Sequence, residues 1–248
     1  MNHAEYEVMF QVEDHHWWYL GMEQITCGLL DQTVGRGRDL RVLDAGCGTG
    51  AVMRYLAPYG RVVGFDFSAE ALRFSQQRGH ARLAQASVVS LPFADNEFDL
   101  IVSFDVISEI GIDDGQALRE FARVLKPGGR LLLRLPAFRW MSGQHDLAVH
   151  LAHRYDRREI KHKLQQAGLT PEKTSYANMF LFPIVAAKRW SERFIAGRQT
   201  GSDLTLDPGP LNGVLRGILS TEAPLVRSIG LPFGLTVVAL ARKNTGKL

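Results

Sequence analysis

Cysteine is scarce: Cys27 and Cys47 are the only two in 248 residues, giving neither a disulfide framework nor a metal-ligand spacing. A reducing, cytoplasmic setting is expected. The chain also lacks a block of lysine or arginine, and its formal charge of +3 is small for its length, so no nucleic-acid partner is expected. The first twenty residues, MNHAEYEVMFQVEDHHWWYL, contain no basic segment leading into an apolar core. The longest apolar run, Met179 to Ala187, is interrupted by Pro183 and stopped by Lys188-Arg189. Neither secretion nor a bilayer span is expected. No internal repeat or low-complexity tract is present. What is abundant is hydrophobic content, at 46%, enough for one sizeable core without covalent staples.

From residue 40 to 135 short apolar runs alternate with amphipathic ones. Leu40 to Asp44, Arg61 to Asp66, Ala81 to Ala86, Asp99 to Phe104 and Arg130 to Leu135 read as strands, with helical patterns between several of them. The alternation predicts βαβ units and a mostly parallel sheet. The segment LKPGGR at 125–130 reads as a helix stop and a turn into the fifth strand. Residues 3–33 read as one or two helices, and 156–167 as a helix with Asp156 as N-cap and Gly168 as C-cap. Pro171 to Ala177 and Gly234 to Arg242 are two further strands. Between them, residues 178–230 have a helical pattern broken by Pro183, Pro208, Pro210 and Pro224, an insertion large enough to form a cap. The expected fold is a single α/β domain with this division: 1–38 an N-terminal helical segment, 39–136 the core, 137–177 a loop, helix and strand, 178–230 the cap, and 231–248 the last strand and tail.

VLDAGCGTG at 42–50 places three alternating glycines after a strand and before a helix. Glycine permits the tight turn and close approach to a ligand, while backbone N–H groups and the positive helix end surround it. Asp66 closes the next strand, about 20 residues beyond the first glycine, where a carboxylate accepts both hydroxyls of a ribose. A dinucleotide enzyme prefers GxGxxG, whereas this chain has GxGxG preceded by Asp44. A nucleotide-dependent oxidoreductase is therefore disfavoured.

VLDAGCGTG, VVGFDFS, LPFADNEFDLIVSFDVI and LREFARVLKPGGRLLLRLP together resemble the class I S-adenosylmethionine-dependent methyltransferases of type 11, the UbiE-like kind. The resemblance covers roughly residues 40 to 136 in the family's order and spacing. It implies a Rossmann-like seven-stranded, mostly parallel sheet with an antiparallel last strand, helices on both faces, and an N-terminal helical lid closing over the cofactor. S-adenosyl-L-methionine is the cofactor it implies. The methionine part would lie against Gly46, Cys47 and Gly48 with Asp44 beneath the loop. Asp66 would hold the ribose, Phe67 and Ser68 follow it, and Phe67 would lie against the adenine. Ser87, followed by Val88, stands where the family often has an adenine-binding aspartate; its hydroxyl can also accept that bond. Phe104 would flank the sulfonium.

Methyl transfer from a sulfonium needs alignment and, for an acidic acceptor atom, a base. The loop after the fifth strand carries Trp140, His145, Asp146, His150, His153 and Tyr155. His145 is the candidate base, since imidazole titrates near neutral pH, with Asp146 supporting it. Trp140, His150 and Tyr155 are candidate substrate contacts. The histidine spacings of five and three supply no third-ligand pattern for a metal. Trp17 and Trp18 cannot share one helix face, so Trp17, Trp18 and Tyr19 are candidate lid contacts, Trp17 towards substrate and the other two towards cofactor. After the fourth strand, Ile110 replaces a histidine that related enzymes often carry next to the glutamate, which leaves Glu109 as a helix-start residue. Phe180 in the cap suits an apolar substrate. Lys188, Arg189 and Arg193 would allow peripheral contact with anionic lipid. The expected function is methyl transfer to oxygen, nitrogen or carbon of a small-molecule or lipid-like acceptor. The alternative is a non-catalytic protein that binds S-adenosylmethionine or its product.

Overall fold

A computed structural model describes residues 3–142, 146, 150–192 and 209–245. Two N-terminal helices, α1 (His3–Val12) and α2 (Trp17–Thr33), precede the alternating core. It runs β1 (Leu40–Ala45), α3 (Ala51–Leu56), β2 (Gly60–Asp66), α4 (Ala69–Gln77), β3 (Leu83–Gln85), β4 (Phe98–Phe104), α5 (Asp114–Val124) and β5 (Leu125–Pro136). Then come α6 (Arg157–Gln166), β6 (Leu169–Ala177), α7 (Phe182–Glu192), α8 (Leu211–Ser228) and β7 (Thr236–Lys243). The seven strands form one sheet in the order β3-β2-β1-β4-β5-β7-β6. The first five are parallel, and β7 runs antiparallel between β5 and β6. This is a Rossmann-like, doubly wound fold with helices around the sheet, as the sequence implies.

Its central strands are apolar because both faces are covered: Val42, Leu43, Leu100, Ile101, Val102, Leu131, Leu132 and Leu133 are all fully buried. The helices begin where side chains satisfy their orphan amides. Ser68 Oγ accepts from Ala71 N at 3.3 Å, Asp113 Oδ1 from Gln116 N at 2.9 Å, and Asp156 Oδ1 from Arg158 N and Glu159 N at 2.8 and 2.9 Å. Gly168, at φ 80°, follows α6.

The chain order reverses between β1 and β4, so their carboxyl ends open a crevice at the topological switch point. Three layers cover it. Arg78 at the end of α4 holds α1, pairing with Glu13 at 2.8 Å and donating to Phe10 O at 2.9 Å. Then α8, from the segment between β6 and β7, lies along α2, with Leu219 so close to Gly21 that a Cβ there would sit 2.6 Å from Leu219 Cδ2. Asn212, at the start of α8, accepts from Trp17 N and donates to His15 O, both at 2.8 Å. Finally, residues 150–153 clasp the stretch after β4: Ile110 N donates to His150 O, and Ala152 N to Ser108 O, both at 2.8 Å.

Two sequence readings change. The strand read from Arg130 starts at Leu125, because Leu125 already pairs with β4 opposite Phe98, and the KPGG stretch is the irregularity before Arg130 pairs opposite Leu100. Glu109 starts no helix: it lies in a turn bridged to Leu151, and α5 begins only after Asp113.

Candidate functional site

At the crevice lies a cavity of about 1230 Å³, lined by residues of the glycine loop, the ends of β2, β4 and β5, the N-terminal helices and the segment between β6 and β7. Small-ligand sites commonly enclose about 300 to 1,000 Å³. This one has room for a nucleoside-sized molecule and a second compound beside it.

The loop between β1 and α3 is built on glycine for steric reasons. Gly46 has φ 82°, and a Cβ there would lie 2.1 Å from Val106 Cγ2. The amides of Gly46 and Cys47 both donate to Phe65 O at 2.9 Å, and Gly48 N donates to Asp66 Oδ2 at 2.9 Å. Three consecutive donors are thus tied to β2. A phosphate needs such donors free, so the loop is not a phosphate cradle, and the sequence expectation of ligand-facing amides is corrected here. What the loop offers instead is an acceptor. Asp44 is 1% exposed, its Oδ2 has no hydrogen-bond partner, and burial, with Asp66 nearby, pushes its pKa up to about 8 against the pull of Arg134. A buried, unsatisfied carboxylate oxygen calls for a cationic donor.

Asp66 accepts Gly48 N on one oxygen and Ser68 N on the other, both at 2.9 Å. Each oxygen keeps a lone pair for a vicinal diol. Burial raises its pKa, and these two amides oppose the rise. Phe67 beside it is 77% exposed, an open ring at the cavity edge, while Ser68 caps α4. Ser87 and Val88 line the same end, and Phe104 lies at the mouth of β4. Cys47 lines the cavity too, although it packs with Met53 and Leu72, and burial pushes its thiol up. The sequence-predicted cofactor residues therefore converge on one space, and Trp17, Trp18, Tyr19, Asp146 and His150 join them there.

Four predicted residues behave otherwise. His145 lies outside the described residues. Tyr155 is 1% exposed and turned away from the cavity, donating to Asp114 Oδ2 at 2.8 Å and Ile107 O at 3.1 Å. Trp140 borders a separate cavity of about 320 Å³ and packs on Phe138 and Phe182. Phe180 is half exposed, because the turn at Asn178 (φ 61°) carries it outward and Glu222 Oε1 fixes its amide at 2.9 Å. Asp146 accepts from Arg154 through both oxygens, at 2.6 and 2.9 Å.

Among the cavity residues that sequence reasoning missed are Arg134 and Glu13. Arg134 interrupts the apolar LLLRLP strand, and that interruption is itself a signal. Glu13 is buried, accepts from Thr49 Oγ1 and pairs with Arg78. Glu109, read as a cap, faces the cavity, and burial, reinforced by Asp66 and Asp105, raises its pKa to about 7.

These features define a class: a Rossmann-like domain with an acid-lined cavity at the crevice of its sheet. Residues 43–133 match the family described as "Methyltransferase domain". The match covers well under half of the chain, and in that segment the chain is similar to the class I S-adenosylmethionine-dependent methyltransferases of type 11. A demethylmenaquinone methyltransferase of Lactiplantibacillus plantarum is 40% identical over 102 residues, 37% of this chain and 43% of the relative. The match thus spans less than half of that relative's length. Among solved structures, a methyltransferase of Haloferax volcanii bound to its Trm112 activator superposes with a TM-score of 0.63 at 20% identity, over 99% of this chain and 96% of that one. A geranyl diphosphate C-methyltransferase from Streptomyces coelicolor, holding Mg2+, geranyl diphosphate and S-adenosyl-L-homocysteine, gives 0.58 at 20% identity over 88% and 76%. At such identities these two likenesses concern the fold.

Proposed function

We propose that this protein moves a methyl group from S-adenosylmethionine to a small-molecule or lipid-like acceptor held in the same cavity. The observation that carries the reading is the reversed polarity of the glycine loop. Its amides are tied to β2, and beneath it stands a buried acceptor, Asp44, matched to an ammonium. In the bound state the cofactor supplies a methyl group activated by a sulfonium. Asp44 and the loop from Gly46 to Gly48 hold the amino-acid end, Asp66 the ribose, and Phe67, Ser68, Ser87 and Val88 surround the base. Phe104, Trp18 and Tyr19 exclude water around the sulfonium, so the acceptor meets the methyl group in a dry, aligned setting.

Trp17 and His150 are the acceptor-side contacts. Val185 of α7 and Leu215 of α8 add an apolar wall to the cavity, which supports a lipid-like acceptor. So does the demethylmenaquinone in the name of one similar protein. Glu109 is the proposed proton acceptor, because it faces the cavity and burial raises its pKa to about 7. Two free thiols, Cys27 and Cys47, suit a cytoplasmic setting. Among the described residues no helix is long and apolar enough to cross a membrane.

Equilibrium dialysis against S-adenosylmethionine and NAD tests the cofactor, with uptake of the first alone expected. Incubation with methyl-labelled cofactor and small-molecule and lipid extracts, followed by mass spectrometry, tests the transfer. Cofactor uptake without a labelled product in any extract would favour the non-catalytic binder.

A further inference from the structure

Arg134 stands near the end of β5, opposite Phe104 of β4. Its guanidinium carbon lies over two rings, 4.3 Å from the Phe104 centroid and 5.0 Å from that of Trp18. The residue is 7% exposed, and a guanidinium keeps its charge in any protein environment. Yet its Nε is buried with no hydrogen bond, and Asp105 Oδ2 stands off at 3.5 Å on that side. A buried charge in this condition is costly unless a ligand completes its pairing. Asp44 presents the mirror image in the same cavity: a buried carboxylate with one oxygen unpartnered. The two are close enough for Arg134 to pull against the rise in Asp44's pKa, but no hydrogen bond joins them. A fixed positive charge and a carboxyl group that can ionise, held apart around one space, suit a ligand end that carries both signs.

We infer that Arg134 and Asp44 clamp the zwitterionic end of the cofactor, Arg134 binding its carboxylate and Asp44 its ammonium. With Trp18 and Phe104 against its guanidinium, Arg134 lines the cavity, and a planar guanidinium fork can meet a carboxylate through paired N–H···O bonds. Asp105 holds the Nε side, and Trp18 brings the N-terminal helices onto the same group. Closure of those helices is thereby linked to occupation of the clamp. This assignment rests on the methyltransferase reading and adds a carboxylate-binding residue that the glycine-loop motif does not contain.

Calorimetric titration with S-adenosylhomocysteine, its decarboxylated analogue and 5′-methylthioadenosine tests the clamp without reference to turnover. The wild-type protein should prefer S-adenosylhomocysteine to the decarboxylated analogue by roughly 10- to 100-fold, the range expected for a charge-assisted hydrogen-bonded pair. Arg134→Met should erase that preference and leave 5′-methylthioadenosine binding unchanged, which also certifies that the variant is folded; Arg134→Lys should restore part of it. Equal wild-type affinity for the first two ligands overturns the clamp alone, with no variant needed, as does a preference that survives Arg134→Met. Failure of the wild-type protein to bind any of the three overturns the cofactor reading and the clamp with it.

Discussion

Asp44 titrates at about 8, so near neutral pH it is largely protonated, whereas an ammonium seated against it needs the carboxylate. Binding of S-adenosylhomocysteine must then expel a proton, and affinity should rise with pH up to about 8 and level off above it. Titration calorimetry in buffers of differing ionisation enthalpy reads that proton directly. Asp44→Asn should abolish the proton release and weaken binding by roughly 10- to 100-fold. Glu109 gives a separate signature. If it accepts the acceptor's proton, turnover should climb with pH through about 7, and Glu109→Gln should cut kcat by roughly 100-fold or more with cofactor affinity unchanged. His145→Ala is the comparator: a cut in turnover at unchanged cofactor affinity would make His145 the base instead, and an unchanged rate would remove it from the mechanism. Sequence motifs identified Asp44 and Asp66 because glycines and strand ends fix their places. Arg134, Glu13 and Glu109 owe their roles to burial and to neighbours distant in sequence, which no local pattern encodes.

Among the elements, the N-terminal helices and the segment between β6 and β7 hang on a few polar anchors. Arg78 pairs with Glu13 and Asp14 at 2.8 and 2.5 Å and lies 4.5 Å from the Phe10 ring. Arg78→Ala would leave Glu13 buried without its cation, at a cost of about 3 kcal/mol, borne by the docking of α1. Hydrogen exchange should speed up in α1 while the strands stay protected, and cofactor affinity should fall. Slow exchange in α1 of the variant would show that apolar packing alone holds it. On α8, the Glu222 carboxylate accepts from Asn178 N at 2.6 Å and Phe180 N at 2.9 Å, fixing the turn that leads out of β6. The strands β1, β4, β5 and β7 were the most legible, because a doubly covered sheet demands near-continuous apolar runs. The surface on which α8 settles was not, since Gly21 against Leu219 and Asn212 against Trp17 join residues almost two hundred positions apart.

On the scale of the whole molecule, a net charge of +3 conceals an acidic interior: Glu13, Asp44, Asp66, Asp105 and Glu109 all line the cavity. Burial raises the pKa of each, and charged neighbours only modify the rise. Their ordinary values lie near 4, whereas the folded values are about 8 for Asp44 and about 7 for Glu109. Between those limits the folded state binds more protons than the unfolded chain, so these groups make stability fall as pH rises across the window and exert their full penalty above about 8. Asp44→Asn combined with Glu109→Gln should therefore give a thermal midpoint that depends less on pH between about 5 and about 8 than the wild-type midpoint does. A cationic ligand end relieves the same repulsion. At one hundred times its Kd, S-adenosylhomocysteine should add about 2.7 kcal/mol, and at a fixed concentration its stabilisation should grow with pH, because the ammonium favours ionised Asp44. Thermal denaturation of both proteins across that range, with and without the ligand, measures all four profiles. Parallel wild-type and double-variant slopes would mean that the acidic lining does not govern the stability of this fold.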